Sequence, residues 1–319
     1  MKAIVQYEYG SPDVLKCEEV QKPTAGDDEV LIRVRAASVN PADWHTLRAD
    51  PFLIRLMGDG LLKPKNKILG IDVAGQVEAV GRNVKEFQPG DAVFGASKYG
   101  AFAEYVCARE DRLVRKPPGT SFEEAAAVPV AAISALQGLR DKGHIQRGQR
   151  VLINGASGGV GTFAVQIAKA FQAEVTGVCS TRNLDMVRSI GADHVIDYTR
   201  EDFTKNGQRY DLILDAAAYR SVSDYRRALS PKGIYVLIGG SVARLFQVLL
   251  LGPWFSMTGN KMGFMMARIT KADLVFLKEL LEAGKVVPVI DRRYPLSEVP
   301  DALRYLEEGH ARGKVIITA

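Results

Sequence analysis

Apolar and polar positions alternate through the first third of the chain, and then the rhythm changes. The runs Val30-Leu31-Ile32-Arg33-Val34-Arg35-Ala36-Ala37 and Ala74-Gly75-Gln76-Val77-Glu78-Ala79-Val80 read as strands, as does the opening from Met1 to Tyr9. Turn residues at 23–26, 81–83 and 88–91 keep the segments short. Closely spaced strands with such turns predict a partly closed antiparallel barrel. Ser121 is placed to cap a helix that opens at Phe122-Glu123-Glu124. From Val151 apolar strands alternate with helical stretches: strands at 151–154, 174–179, 194–197, 212–215 and 234–238, helices at 162–170, 184–190 and 219–229. That alternation predicts a doubly wound parallel sheet in an α/β domain. A helix at 273–283, an apolar run at 286–290, a helix at 299–308 and a last strand at 314–318 complete the chain. Phe264, Met265 and Met266 are expected to begin the return to the first domain. The reading is therefore one β-rich domain, 1–122 and 272–319, with the strand–helix domain, 123–271, inserted in it.

The most informative stretch is Val151-Leu152-Ile153-Asn154-Gly155-Ala156-Ser157-Gly158-Gly159-Val160-Gly161. A buried strand runs into a glycine-dense turn and the turn into a helix, the order that a pyrophosphate needs. Glycines let the backbone approach the phosphates, and a helix N-terminus offers unpaired N–H groups and the positive end of its dipole. Ala156, Ser157, Gly158, Gly159, Val160 and Gly161 are therefore candidate dinucleotide contacts, with Ala156 where the fingerprint usually has its first glycine. The next strand ends at Val178-Cys179 and is followed by Ser180-Thr181-Arg182, not by the carboxylate that commonly takes a ribose 2′-hydroxyl. Two hydroxyls and a guanidinium suit a 2′-phosphate, so NADPH is the expected coenzyme. Tyr198, after the following strand, is a candidate to lie over the adenine or touch the same phosphate.

Composition narrows the classes. At 319 residues, 47% hydrophobic and 25% charged, the chain reads as a soluble globular protein of two domains. Its net charge of +5 is scattered, with no Lys/Arg block, which argues against a nucleic-acid partner. Cys17, Cys107 and Cys179 are too few and too far apart for a disulfide framework, so a reducing cytoplasm is expected. The N-terminus has no signal-peptide apolar core. The apolar segment 242–257 is broken by Arg244, Gln247, Gly252 and Pro253 and is shorter than the roughly 20 residues that span a bilayer. A buried or pocket-lining helix is expected there first, and a peripheral membrane- or partner-facing surface second.

Several motifs in order resemble the medium-chain dehydrogenase/reductase superfamily, in its zinc-free quinone oxidoreductase branch, the relatives of zeta-crystallin. They are Ala37-Ser38-Val39-Asn40-Pro41-Ala42-Asp43-Trp44, Gly70-Ile71-Asp72-Val73-Ala74-Gly75, Pro89-Gly90-Asp91-Ala92-Val93, Gly100-Ala101-Phe102-Ala103-Glu104-Tyr105, the glycine turn and the closing Gly313-Lys314-Val315-Ile316-Ile317. The resemblance covers essentially the whole chain. It implies a Rossmann sheet inserted in a GroES-like barrel domain, and a homodimer. Zinc-dependent members place a Cys and a Gly-His-Glu where this chain has Asn40 and Gly70-Ile71-Asp72. An amide and an isoleucine do not make a catalytic zinc site, and the cysteines do not make a structural one. Without a metal to polarise a plain carbonyl, a conjugated acceptor is expected, a quinone, enone or enal that spreads the incoming charge over its π-system.

The resemblance also implies roles. Asn40 belongs beside the nicotinamide, Ser134 near the coenzyme phosphates, and Ile238 and Gly239 at the carboxamide. Lys314 is a candidate to reach the coenzyme cleft. His45, in the loop after Asn40, is a candidate to donate a proton to an enolate or polarise a quinone oxygen, whereas Asp43 is expected to bond its own loop backbone. The competing readings are a non-catalytic NADPH-binding protein of the zeta-crystallin type and a membrane-edge protein acting through 242–257.

Overall fold

The computed structural model describes residues 1–52, 55, 60–239, 242–257 and 259–319, with the backbone alone at 242, 243, 253, 256 and 257. The chain divides into two units, Met1–Val130 with Ile269–Ala283 and Pro288–Ala319, and Ala131–Arg268 with Gly284–Val287.

The first unit is β-rich. Strands β1 (Lys2–Val5) and β2 (Lys16–Glu19) form an antiparallel pair. Then come β3 (Glu29–Val39), α1 (Pro41–Arg48), β4 (Asp72–Val80), β5 (Ala92–Ala96), β6 (Tyr105–Arg109), β7 (Leu113–Arg115) and α2 (Phe122–Ala127). Strand β3 organises the domain. Its first half pairs with β6, its last residues pair with the C-terminal strand, and β4 runs along its other side. Ile32, Val34, Val73, Phe102, Leu113 and Val315 belong to the core of this domain. Helix α2 packs on β3 and β4, so the boundary between the units falls after Val130 and not at 122. Ser121 caps that helix as expected, its hydroxyl accepting from Glu124 N–H while the Glu124 carboxylate returns to Ser121 N–H.

The second unit begins within α3 (Pro129–Gln137) and continues through β8 (Arg150–Asn154), α4 (Gly159–Ala170), β9 (Glu174–Cys179), α5 (Leu184–Ser189), β10 (His194–Asp197), β11 (Tyr210–Asp215), α6 (Val222–Ala228), β12 (Leu229–Leu237), α7 (Val242–Met257) and β13 (Lys261–Phe264). The six strands are parallel in the order β10-β9-β8-β11-β12-β13. That order reverses direction between β8 and β11, which is where open α/β sheets form ligand crevices. Strand β13 replaces the expected return to the first unit. It is an edge strand beginning at Lys261, so one side needs no buried partner and its composition does not announce it. Helix α6 starts at Val222, later than 219, because Ser221 and Asp224 form its capping box.

Helix α7 is buried on one side only. Val248 and Phe255 are in the core, while Phe246, Leu249, Leu250 and Trp254 form an exposed stripe with Trp254 67% accessible. The helix thus combines the two expectations, a buried face and an outward apolar one. Among the described residues no helix is long and apolar enough to cross a membrane.

The chain then completes the first unit with α8 (Lys271–Glu282), β14 (Ile290–Pro295), α9 (Val299–Glu307) and β15 (Lys314–Thr318). Strand β15 pairs antiparallel with β3 and sets Val315 opposite Val39. That register brings Lys314 to the start of α1.

Candidate functional site

The glycine turn is made by close backbone approach. Gly155 adopts φ of 79°, open to glycine and strained for other residues. A Cβ on Gly161 would lie 2.0 Å from the Gly155 carbonyl oxygen, so only a glycine lets the helix start pack on the turn. Helix α4 starts with Gly158 as N-cap and with no side-chain cap, and its first turn carries no acidic residue. The first N–H groups of the helix therefore have no partner in the helix and no competing carboxylate. A Cβ on Gly158 would meet nothing closer than 3.5 Å, which leaves open space in front of those groups. This donor set fits a pyrophosphate.

The other coenzyme candidates of this unit sit at the carboxyl ends of the same strands. Ser180 and Arg182 follow β9, Tyr198 follows β10, and Ile238 and Gly239 follow β12, their N–H groups donating to the Asp215 carbonyl at 2.9 and 3.4 Å. Arg182 is exposed; Tyr198 is 45% accessible and tilts against Tyr219 at 5.6 Å. Ser134 is buried on α3. Thr181 differs from its expected role, because its hydroxyl donates to Asp197 Oδ2 at 2.5 Å and that one hydrogen cannot also serve a phosphate. Asp197 was not a candidate. It ends β10 beside Cys179, and hydrogen bonds from Thr181 and Thr199 with Arg200 nearby hold its carboxyl below the usual range. Asn183 was also missed. Its amide N–H groups donate to Ser157 Oγ (3.0 Å) and Ser180 Oγ (3.3 Å), tying the glycine turn to the end of β9, and its buried oxygen has no partner among the described residues. At the switch point Asp215 accepts from Asn154, Tyr235 and the Ala217 and Ala218 N–H groups, a full set of internal partners that makes it a brace for the turn.

In the first unit the residues around Asn40 form a buried polar cluster. Asn40 is the N-cap of α1, and Pro41 occupies the first helical position, where its missing N–H costs nothing. Asp43, one turn on, accepts from Asn40 N–H at 2.8 Å and from Gly70 N–H at 3.2 Å. It bonds its own loop, as expected, and also anchors the Gly70 turn. Burial pushes the Asp43 carboxyl up to about 7, with the nearby Asp72 charge adding to the rise and those two N–H groups and Lys314 opposing it. The Asn40 amide nitrogen donates to Asp72 Oδ2 (2.9 Å) and faces the Ser38 carbonyl (3.4 Å), while its oxygen accepts from Lys314 Nζ (2.7 Å). Asp72 also accepts from Ser38 Oγ (2.7 Å) and Val130 N–H (2.9 Å).

Lys314 is buried at the start of β15. Its side chain is 3% accessible, and the ammonium faces Asn40 Oδ1, the Val39 carbonyl at 3.3 Å and Asp72 Oδ2 at 3.5 Å. Three donors meet three protein acceptors, all within the first unit. Burial pulls that ammonium down in pKa, against the pull of Asp72 and Asp43.

His45 stacks on Trp44 with ring centroids 3.6 Å apart, and its Nδ1 lies 2.6 Å from the Asp50 carbonyl oxygen. A carbonyl only accepts, so Nδ1 carries a hydrogen and the neutral ring presents a bare Nε2. Proton donation from Nε2 requires the doubly protonated ring.

Comparisons with known proteins agree over the whole chain. The alcohol dehydrogenase GroES-like domain profile matches residues 26–118 and a zinc-binding dehydrogenase profile matches 190–317. The chain is 36% identical to a chloroplastic quinone-oxidoreductase homolog of Spinacia oleracea, over 97% of this chain and 95% of that one. It is 33% identical to a chloroplastic NADPH-dependent alkenal/one oxidoreductase of Arabidopsis thaliana, over 99% of this chain and 79% of that one. Among solved structures, the quinone oxidoreductase from Coxiella burnetii superposes with a TM-score of 0.89 at 30% identity, covering 100% of this chain and 99% of that one. The chain belongs to the medium-chain dehydrogenase/reductase superfamily, in its quinone oxidoreductase branch. The zinc named in one profile does not fit the residues here. Where ligands would be needed stand an amide, an isoleucine and a carboxylate already paired to an ammonium, and among the described residues no three His, Cys, Asp or Glu side chains gather to hold a metal.

Proposed function

We propose that this protein is an oxidoreductase that uses NADPH to reduce quinones or α,β-unsaturated carbonyl compounds without a metal ion. The observation that carries the reading is the donor set at residues 159–161, the start of a helix with no side-chain cap and with open space at its N-cap Gly158. Bound NADPH supplies the hydride. The protein's part is to hold it, through the α4 N–H groups at the pyrophosphate, the backbone at Ile238 and Gly239 for the carboxamide, and Ser180 and Arg182 at the 2′-phosphate. NADPH over NADH rests on those two donors, and on the Asp197 carboxylate being taken up by Thr181, Thr199 and Arg200. Residues of the first unit serve the acceptor. Asn40 lies in a fixed polar setting, and His45 in its doubly protonated form has an Nε2 proton to complete the reduction. A conjugated acceptor needs no Lewis acid, which agrees with a residue-40 cluster that contains an ammonium.

The test is NADPH oxidation by the full chain against quinones, enals, enones and plain ketones, with NADH in parallel. Turnover with conjugated acceptors and none with ketones is expected. Tight NADPH binding without turnover on any acceptor would leave a binding protein in place of an enzyme.

The exposed stripe on α7 supports a contact face there, with a second copy of the chain or a membrane surface as partner. Trp254→Asp should abolish dimer sedimentation or vesicle flotation, whichever the wild type shows. The unpaired cysteines suit a reducing compartment such as the cytoplasm.

A further inference from the structure

The Asn40 amide is held between opposite charges. On one side its nitrogen faces the Asp72 carboxylate at 2.9 Å; on the other its oxygen faces the Lys314 ammonium at 2.7 Å. Turning the amide over would set oxygen against carboxylate and NH2 against ammonium, two repulsive contacts inside a buried cluster. Each charge is itself fixed. Asp72 is held by Ser38 Oγ and Val130 N–H, and Lys314 by the Val39 carbonyl and by the register of β15 against β3. Hydrogen-bond accounting then leaves little open at residue 40. Both amide hydrogens are directed at protein oxygens, and one lone pair of Oδ1 is the remaining capacity.

Stability alone is a weak reason for such an arrangement. A buried lysine–carboxylate pair commonly gains nothing over apolar residues of the same volume, whereas removing one partner is strongly destabilising. A pair of this kind leaves room for another use, and here the Asn40 amide bonds both charges, which themselves lie 3.5 Å apart.

We propose that Lys314 and Asp72 are positioning residues that lock the Asn40 amide in one orientation, so that Asn40 serves its ligand as a hydrogen-bond acceptor through Oδ1 and not as a donor. The chemical class of that ligand group is an N–H or O–H. The activity readout rests on the reductase reading; the spectroscopic readout below does not.

The experiment is a double-substitution cycle. Lys314→Met is made in the wild-type chain and in Asn40→Ala, and kcat/KM for quinone reduction by NADPH is measured in all four proteins. In the wild-type background a fall of about tenfold to a hundredfold is expected, the scale of a misplaced active-site group. In the Asn40→Ala background the same substitution should change kcat/KM by less than about twofold, because there is no amide left to orient. Equal losses in both backgrounds, or no loss in the first, overturn the proposal. If Lys314→Met does not fold, the pair Lys314→Met with Asp72→Asn removes both charges together and takes its place in the cycle.

Selective 15N-asparagine labelling reads the orientation without turnover. The NH2 signals lost in Asn40→Ala identify Asn40. Their hydrogens should be protected from solvent exchange in the wild type and exchange faster in the lysine variant. Unchanged protection sinks the proposal. A wild type with no NADPH oxidation, but with the expected exchange behaviour, would fail the reductase reading and keep the positioning one.

Discussion

The glycine turn of the second unit and the Asn40 cluster of the first are both hydrogen-bonding sites, and they are built by opposite means. The turn offers backbone N–H groups, and its side chains are mostly hydrogen atoms. What defines it is close approach, with Gly161 fitting where a Cβ would meet a carbonyl oxygen at 2.0 Å. The cluster offers charged and polar side chains brought from β3, α1, β4 and β15, two carboxylates and one ammonium in the same buried volume. A backbone site is sensitive to volume and indifferent to pH. A side-chain site is sensitive to charge and hence to pH. The comparison can therefore be broken by showing that either half responds to the other's lever.

The largest effect is expected from volume. Gly161→Val puts three carbons against the Gly155 carbonyl and the Ala156 backbone, where no flexible side chain can give way. A loss on the order of 5 kcal/mol, or failure of the second unit to fold, should follow. The penalty should be the same at pH 5 and pH 8. Gly158→Ala is the control, since its added Cβ meets only ordinary contacts. That variant should keep its urea midpoint and lose NADPH affinity by fluorescence titration. If the two variants are equally stable, close packing is not what the turn is for.

The next lever is charge. Asp43 has a carboxyl raised to about 7 in the folded protein, against 3.8 for a free side chain. Between these values the folded state keeps a proton that the unfolded state releases, so unfolding is favoured as pH rises. Stability should fall by up to a few kcal/mol from about pH 4 to about pH 7 and level off above that. Asp43→Asn keeps the shape and removes the titration, although its NH2 meets either the Asn40 or the Gly70 N–H. The wild type should lead the variant below pH 4, and its advantage should shrink or reverse by pH 8 in urea titrations. A constant difference across that range would mean that Asp43 is not the titrating group.

The two halves were not equally legible. The turn is seven consecutive residues after an apolar strand, and local rules of backbone freedom read it directly. The central strands of the second unit were equally plain, because burial on both faces makes them continuous apolar runs. Strand β13 was not, since an edge strand beginning at Lys261 carries no such run. The cluster was legible only in part. Asn40 stood out through its motif, but Lys314 is 274 positions away and reads alone as a strand-start lysine. The pairing of β15 with β3 decides its role, and that is a tertiary fact. Asp72 had a signal that went unused. It occupies the third position of Gly70-Ile71-Asp72, where a carboxylate at the head of an apolar strand marks a buried polar partner. Asn183 and Asp197 escaped for a similar reason: each acts on a candidate's side chain from a neighbouring element.

The smallest effect sharpens the comparison at the one place where the coenzyme unit does rely on a charged side chain. Arg182 is exposed, and with Thr181 committed to Asp197 the 2′-phosphate would be held by Arg182 and Ser180. Arg182→Ala should weaken NADPH binding about tenfold to a hundredfold, the range of a charge-assisted hydrogen bond, and leave NADH within about twofold. Raising salt should narrow the gap, because an exposed pair is screened. The pyrophosphate contacts, made by backbone at the helix start, are common to both coenzymes and should keep their part of the affinity in the variant. Equal losses for NADPH and NADH would move Arg182 from the 2′ position to the shared part of the coenzyme. The distinction between the two dinucleotides would then have to lie with Ser180, Asn183 and the Asp197 carboxylate.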